Sequence, residues 1–103
     1  METIKFEYPA KQPAPGRVLV GVVGSGDLEV LLEPGESGKT RVTVNTSVDG
    51  AASQWRALFD RLFATLPNAA AMNLELNDFG ATPGVVRMRL EQAMELVKQQ
   101  AGK

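Results

Sequence analysis

The sequence predicts an α+β fold, a two-layer sandwich in which about four strands form a sheet and two helices cover one of its faces. Two observations predict it. Apolar stretches with strand-like patterns come first along the chain, and two stripes with helical spacing follow them. The resulting order is strand, strand, strand, helix, strand, helix, which favours an antiparallel-rich sheet. This order excludes a four-helix bundle.

The length of 103 residues predicts one domain that spans residues 1–103. Residues 9–16 carry three prolines and a glycine. Proline and glycine at this density interrupt regular structure, so the stretch predicts a loop or a short tether. The segment before it is compatible with an N-terminal strand.

Four segments predict the strands of the sheet. Residues 17–23 are β-branched and almost continuously apolar, which is typical of a central strand covered on both faces. Residues 27–33 place leucine and valine on one face, and the glycine-rich residues 24–26 between these two segments predict a hairpin. Residues 40–46 and 70–77 alternate between apolar and polar side chains, as half-buried strands do.

Two apolar stripes predict the helices. The first consists of Trp55, Leu58, Phe59, Leu62 and Phe63, and the second of Val86, Leu90, Ala93, Met94 and Val97. Ser47 or Asp49 is expected to cap the first helix. Thr82 is expected to cap the second, with Pro83 at its first helical position.

Composition excludes several classes of function. Eleven basic and twelve acidic residues give a net charge of −1, so neither a nucleic acid nor an anionic membrane is an expected partner. The sequence predicts no signal peptide and no membrane span. It contains no cysteine and no histidine, which excludes disulfides and makes a metal site unexpected. The simplest expectation is a cytoplasmic protein.

Three motif matches fail on inspection. Residues 36–40 end like a phosphate loop, but Glu33 stands where its first glycine belongs and a strand follows instead of a helix. A polar hairpin turn is the better prediction there. Residues 24–26 begin like a dinucleotide fingerprint, but Glu29 replaces the third glycine. Residues 78–80 have the sequence of the kinase magnesium triplet, but the chain contains no other kinase motif. These residues predict a turn.

Ser25 is the most informative residue, because its hydroxyl stands between Gly24 and Gly26 and Asp27 follows. A serine nucleophile needs an adjacent base, normally histidine or lysine, and the chain has no histidine. Two interpretations therefore stay open. The segment is a turn with suitable residues, or it displays Ser25 for covalent modification by another enzyme. Asp27 either stabilises the turn or is recognised by the modifying enzyme.

Three segments, residues 17–35, 55–63 and 77–87, resemble the acyl carrier subunit family of malonate decarboxylase. The size of the chain also agrees with this family, so the resemblance covers essentially the whole chain. The first and last segments are long and irregular. The acyl carrier subunit of citrate lyase is more distantly similar.

The resemblance implies that Ser25 carries a 2'-(5''-phosphoribosyl)-3'-dephospho-coenzyme A group, with Gly24, Gly26 and Asp27 forming the attachment turn. It implies a non-catalytic subunit whose imported thiol holds acetyl and malonyl units as thioesters. A transferase subunit exchanges acetyl for malonyl, and a decarboxylase subunit pair releases carbon dioxide. A holo-carrier synthase attaches the group, and a malonyl transferase primes it.

A different class of function stays open beside the carrier. In it, the chain is an assembly module that scaffolds a complex through its sheet face or its proline-rich arm, with Ser25 unmodified. A small hydrolase that uses Ser25 ranks last, because no base is available.

Overall fold

The computed structural model describes residues 2–21, 28–66 and 69–101, and within them it confirms an α+β fold with one sheet and two helices. The elements are β1 (Glu2–Pro9), β2 (Val18–Val20), β3 (Leu28–Pro34), β4 (Lys39–Thr46), α1 (Ala52–Ala64), β5 (Met72–Asp78) and α2 (Pro83–Ala101). The described sheet has five strands instead of about four, because the N-terminal segment pairs with β4 along its whole length.

The strand order in the sheet is β1-β4-β5-β3-β2. Three of the neighbouring pairs are antiparallel, as expected, and β4 and β5 are parallel. A parallel pair needs a crossover connection, which α1 provides between β4 and β5. The ends of β4 and β5 therefore lie together at one end of the sheet, with the start of β3 beside them.

Two predictions about the strands are wrong. β2 is a short edge strand instead of a central one, and Leu19 on it is 53% exposed. The strands with a neighbour on both sides are β4, β5 and β3, and alternate residues of each are buried. Residues 36–40 do not form a hairpin turn, because β5 lies between β3 and β4.

The core lies between one face of the sheet and the two helices. Phe59 of α1 is fully buried, and its ring lies 5.7 Å from that of Phe6 on β1. Both predicted stripes face this core: Trp55, Phe59 and Leu62 of α1 are buried, as are Val86, Leu90, Ala93 and Val97 of α2. Each buried side chain of this size contributes about 1.5–3 kcal/mol. The opposite sheet face carries mostly polar side chains.

The helix starts agree with prediction in one case of two. Val85 N–H donates to the Thr82 hydroxyl at 3.3 Å, which confirms the cap of α2. The predicted cap of α1 is wrong, because its N-cap residue is Ala51 and no side chain bonds there. Burial of its apolar stripe stabilises α1 without that bond.

The proline-rich loop is bonded to the domain instead of leaving it as a tether. Ala71 N–H donates to the Gln12 carbonyl at 2.7 Å, and Ala14 N–H donates to the Ala71 carbonyl at 2.9 Å. Ala14 is also part of the core. The loop therefore fixes the start of β5.

Candidate functional site

The predicted attachment residues lie between β2 and β3. Gly24, Ser25, Gly26 and Asp27 fall within residues 22–27, which are outside the described residues. The two ends of this connection are described, and they define where it joins the sheet. β2 and β3 pair in antiparallel fashion, with Val20 opposite Val30, so the predicted pairing of the two strands is confirmed.

Gly21 follows β2 and comes very close to the first residue of β3. Its φ is +77°, a conformation that side chains other than glycine rarely adopt. A Cβ atom at this position would lie 2.0 Å from the backbone oxygen of Leu28. Only glycine allows this approach, so the connection that carries Ser25 starts and ends at a narrow base.

Asp78 lies beside this base, directly opposite Leu28 in the β3–β5 register. Its carboxylate is buried, with the residue only 4% exposed. One oxygen accepts the Thr46 hydroxyl at 2.8 Å, and the other accepts the N–H groups of Gly80 at 3.1 Å and Ala81 at 2.9 Å. Asp78 therefore joins the ends of β4 and β5 to the turn before α2.

This geometry confirms that residues 78–80 form a turn. Gly80 has a φ of +108°, so glycine supplies the unusual backbone angle there. The carboxylate is occupied by three donors of this chain. Its role is to hold the turn. The similarity of residues 78–80 to the kinase magnesium triplet is therefore one of sequence alone.

A row of polar side chains crosses the open face of the sheet at the same end. Thr3 donates to Asn45 at 3.0 Å, Asn45 to Asn77 at 3.1 Å, and Asn77 to Glu29 at 3.0 Å. The four residues occupy one register row across β1, β4, β5 and β3. The row links the start of β3 to β1, which favours a rigid start of β3.

Two exposed apolar residues lie at this end, and the sequence pattern did not single them out. Ser47 N–H donates to the Asp78 carbonyl at 3.1 Å. Val48 is the second residue after β4 and Phe79 is the first residue after β5, and they are 47% and 60% exposed. A signal was available: both are apolar and lie within two residues of the end of a strand, where a turn is expected to be polar.

Two larger grooves lie along the helices. One of about 610 Å³ is lined by Leu62, Leu66 and Met94, and another of about 650 Å³ by Leu58, Arg61 and Met88. Beside Asp78 and Val48, the described residues line a pocket of only about 120 Å³. A deep substrate cavity is not formed there by the described part of the chain.

Among the described residues, the ionisable group with a shifted pKa is Tyr8, which lies away from this end. Burial raises the pKa of Tyr8 above its usual range, and its hydrogen bond to Asp60 raises it further. Tyr8 pairs with Thr40, at the other end of the sheet. The described ranges also hold no group of acidic residues able to bind a metal ion. None of their helices is long and apolar enough to span a membrane.

Comparison with known proteins decides the family. The family model of the acyl carrier protein (ACP) described as malonate decarboxylase delta subunit (MdcD) matches residues 16–97. The chain belongs to the malonate decarboxylase delta subunit family. The resemblance drawn from the sequence motifs is thereby confirmed.

Relatives of this delta subunit family match along nearly their whole length. The malonate decarboxylase acyl carrier protein of Stutzerimonas stutzeri (strain A1501) is 60% identical over 94% of this chain and 97% of the relative. That of Azotobacter vinelandii (strain DJ / ATCC BAA-1303) is 61% identical with the same coverage. A chain in the crystal structure of a Pseudomonas malonate decarboxylase hetero-tetramer in complex with malonate is 60% identical, with a TM-score of 0.88. That match covers 94% of this chain and 99% of the other.

Proposed function

We propose that this chain is the acyl carrier subunit of a malonate decarboxylase complex and that Ser25 is its attachment residue. The observation that carries the proposal is family membership, with about 60% identity over 94% of the chain to proteins named as malonate decarboxylase acyl carrier proteins. The absence of cysteine supports it, because a thioester carrier without its own thiol must acquire one.

The group proposed at Ser25 is 2'-(5''-phosphoribosyl)-3'-dephospho-coenzyme A, joined through a phosphate ester. When bound, it supplies a thiol that holds acetyl and malonyl units as thioesters, the form in which malonyl loses carbon dioxide through a stabilised enolate. The described neighbours fit such a group. β2 is the edge strand of the described sheet, so the Ser25 connection joins an edge strand to its neighbour, with no further described strand beside it.

The residues of this chain act by positioning. The close approach of Gly21 to Leu28 fixes the base of the connection, and Asp78 fixes the strand ends beside it. A rigid base with a long substituent raises the effective concentration of the acyl group at partner active sites. Bond breaking is assigned to those partners, because the chain offers no histidine or cysteine for it.

The partners proposed are the transferase subunit, the decarboxylase subunit pair, the holo-carrier synthase and a malonyl transferase. The similar chain in the Pseudomonas hetero-tetramer supports a multi-subunit setting. A cytoplasmic location agrees with this set of partners. The scaffold alternative uses either the sheet face or the proline-rich arm, and the bonds of that arm to Ala71 argue against the second route alone.

Intact mass spectrometry of the protein from its native host tests the proposal. We expect a fraction heavier by the phosphoribosyl-dephospho-coenzyme A group, and peptide mapping should place the added mass on Ser25. Ser25→Ala should fold normally but leave the complex unable to release carbon dioxide from malonate. Ser37→Ala is the matched control, because Ser37 precedes a glycine in the sequence, as Ser25 does, and is exposed in a turn. Retained activity in Ser25→Ala, or unmodified wild-type protein in an active complex, would exclude the carrier role.

A further inference from the structure

A pair of leucines forms an apolar patch on the open face of the sheet. Leu19 of β2 lies directly opposite Leu31 of β3 in the antiparallel register, so the two side chains are neighbours on one face. That face is the one away from the helices, because the residues on either side of each leucine in sequence are buried. Leu19 is 53% exposed, and Leu31 is partly exposed. The described fold therefore leaves this pair without a cover.

The neighbouring strands make the pair stand out. On β4 and β5, the residues that share the face of Leu31 are all polar. Single exposed apolar residues are ordinary on a protein surface. Two that are paired across adjacent strands, within an otherwise polar face, favour a surface that another molecule covers.

Three carboxylates lie around Leu31 on the same face. Glu29 and Glu33 are two residues before it and two residues after it on β3, about 7 Å away along the strand. Glu75 of β5 is directly opposite Leu31, on the side away from Leu19. The patch therefore has an apolar centre and an acidic border. An apolar core with a polar rim is the usual anatomy of a protein interface.

Glu75 is the carboxylate of this border that the described chain leaves unused. Glu33 pairs with Arg17 at 3.3 Å, and Glu29 accepts a hydrogen bond from Asn77 at 3.0 Å. Glu75 is exposed and has no hydrogen bond or ion pair with another described residue. A basic group that approaches the leucines therefore finds a free acceptor beside them, and it breaks no bond of the described chain.

We propose that Leu19, Leu31 and Glu75 form a docking surface for another subunit of the complex, which contributes an apolar side chain flanked by lysine or arginine. The chemistry of this occupant follows from the apolar centre and the acidic border. Its identity as a subunit of the complex rests on the proposed function. Nucleic acid and anionic lipid do not fit, because their phosphates would face the carboxylates.

A second copy of this chain fits the patch less well than a different subunit. Lys39 and Arg41 are basic residues on its own open face. They are already paired, Lys39 with Glu7 at 3.3 Å and Arg41 with Glu36 at 3.4 Å. Binding of that face to the patch of another copy would compete with these pairs, so charge favours a partner that brings its own basic residues.

The test is the affinity of the full chain for the other subunits of the complex, purified together from a native-host strain that lacks this chain. Leu19→Thr removes apolar surface but keeps a residue suited to a strand, and it should weaken the measured Kd about tenfold. Glu75→Lys should weaken the Kd tenfold or more, because like charges then meet. The matched controls are on α2: Met88 is 55% exposed, and Glu95 is an exposed carboxylate. Met88→Ala and Glu95→Lys should stay within twofold of wild type.

Two further measurements separate docking from folding. The Kd of the wild-type chain should rise with salt concentration, because opposite charges contribute to binding. This dependence should be weaker or reversed in Glu75→Lys. Urea unfolding of Leu19→Thr and of Glu75→Lys should match wild type, because both side chains are exposed.

Photocrosslinking from position 19 identifies the occupant. With p-benzoylphenylalanine in place of Leu19, the crosslinked peptide should belong to another subunit and hold an apolar residue flanked by lysine or arginine. Changing that basic residue to glutamate should restore the affinity of Glu75→Lys. The inference is overturned by a crosslink to a second copy, by a crosslinked segment without basic residues, or by wild-type affinity in both Leu19→Thr and Glu75→Lys. If Ser25 is unmodified in the native protein while these affinities change as expected, the carrier proposal fails and the docking surface stands.

Discussion

Replacing Gly21 with alanine should destabilise the sheet at the base of the Ser25 connection more than replacing a comparable turn glycine. The new Cβ would lie 2.0 Å from the Leu28 oxygen, while ordinary contact begins at 3.4 Å. The Leu28 carbonyl would have to retreat by roughly 1.4 Å. Movement of that size strains the pairing of Leu28 with Asp78. Gly38 offers the matched control, because its φ of +90° is similarly positive and nothing lies within 4 Å of its Cβ position.

The two variants separate conformational strain from steric overlap. Alanine at positive φ costs about 1–2 kcal/mol, and the stiffer unfolded chain offsets about 0.4–1 kcal/mol of that. Gly38→Ala should therefore lose at most about 1.5 kcal/mol. Overpacking adds about 1–3 kcal/mol, so Gly21→Ala should lose about 2–4 kcal/mol. Urea unfolding gives both values, and hydrogen exchange should show faster exchange near Leu28 in Gly21→Ala alone. Equal losses in the two variants would refute the close approach.

Three further perturbations test the core, the strand ends and Tyr8, a described residue whose pKa is shifted. Phe59→Ala should lose about 3–5 kcal/mol in urea unfolding, because the side chain is fully buried, whereas Phe79→Ala should stay within about 0.5 kcal/mol. Asp78→Ala should lose about 2–4 kcal/mol, because it leaves three donors without their carboxylate; Asp78→Asn keeps one oxygen and should lose less. Tyr8 has a raised pKa in the folded state. Its contribution to the free energy of unfolding is therefore present below pH 10 and declines as pH rises above that value. Stability measured from pH 9 to 11 should fall more steeply for wild type than for Tyr8→Phe, which also lacks the bond to Asp60. A large loss in Phe79→Ala, unchanged stability in Asp78→Ala, or parallel pH curves would each contradict the structure.

The helices and the strand faces were predictable because their signals are local. The stripe around Phe59 and the cap at Thr82 need only helical geometry, and both are confirmed. The alternation in residues 40–46 likewise identifies the buried face of β4 correctly, with Val42 and Val44 inside.

The position of each strand in the sheet was not predictable in the same way. Residues 17–23 have the composition of a central strand, but β2 lies at the described edge. Residues 36–40 form a short polar turn, which favours a hairpin, but β5 lies between the strands that it joins. Strand order depends on contacts between distant segments. A local pattern does not show which strand lies between two others in the sheet. The parallel β4–β5 pair follows from α1, and it is what brings Asp78 beside Thr46.

The supporting residues of the site were missed for the same reason. Asn45, Asn77 and Glu29 are outward polar residues of three separate strands, and each alone is typical of a solvent-exposed face. Only the register places them in one row of hydrogen bonds. Ser25 itself could be singled out from sequence because its signal is chemical: a hydroxyl between two glycines in a chain without histidine or cysteine.

The residues that fix the strand ends are distinct from Ser25, the proposed attachment residue. Strand ends at Asp78 and Thr46 are fixed by a buried carboxylate, and the start of β3 is fixed by the polar row and by contact with Gly21. These groups bond to one another within the described chain. A carrier needs this arrangement, because a substituent on a firm base samples a limited volume and meets partner sites more often. If the base were loosened, for example in Gly21→Ala, the attachment proposed at Ser25 is expected to continue while transfer between the proposed partners slows. The supporting residues would then affect delivery of the acyl group separately from its attachment.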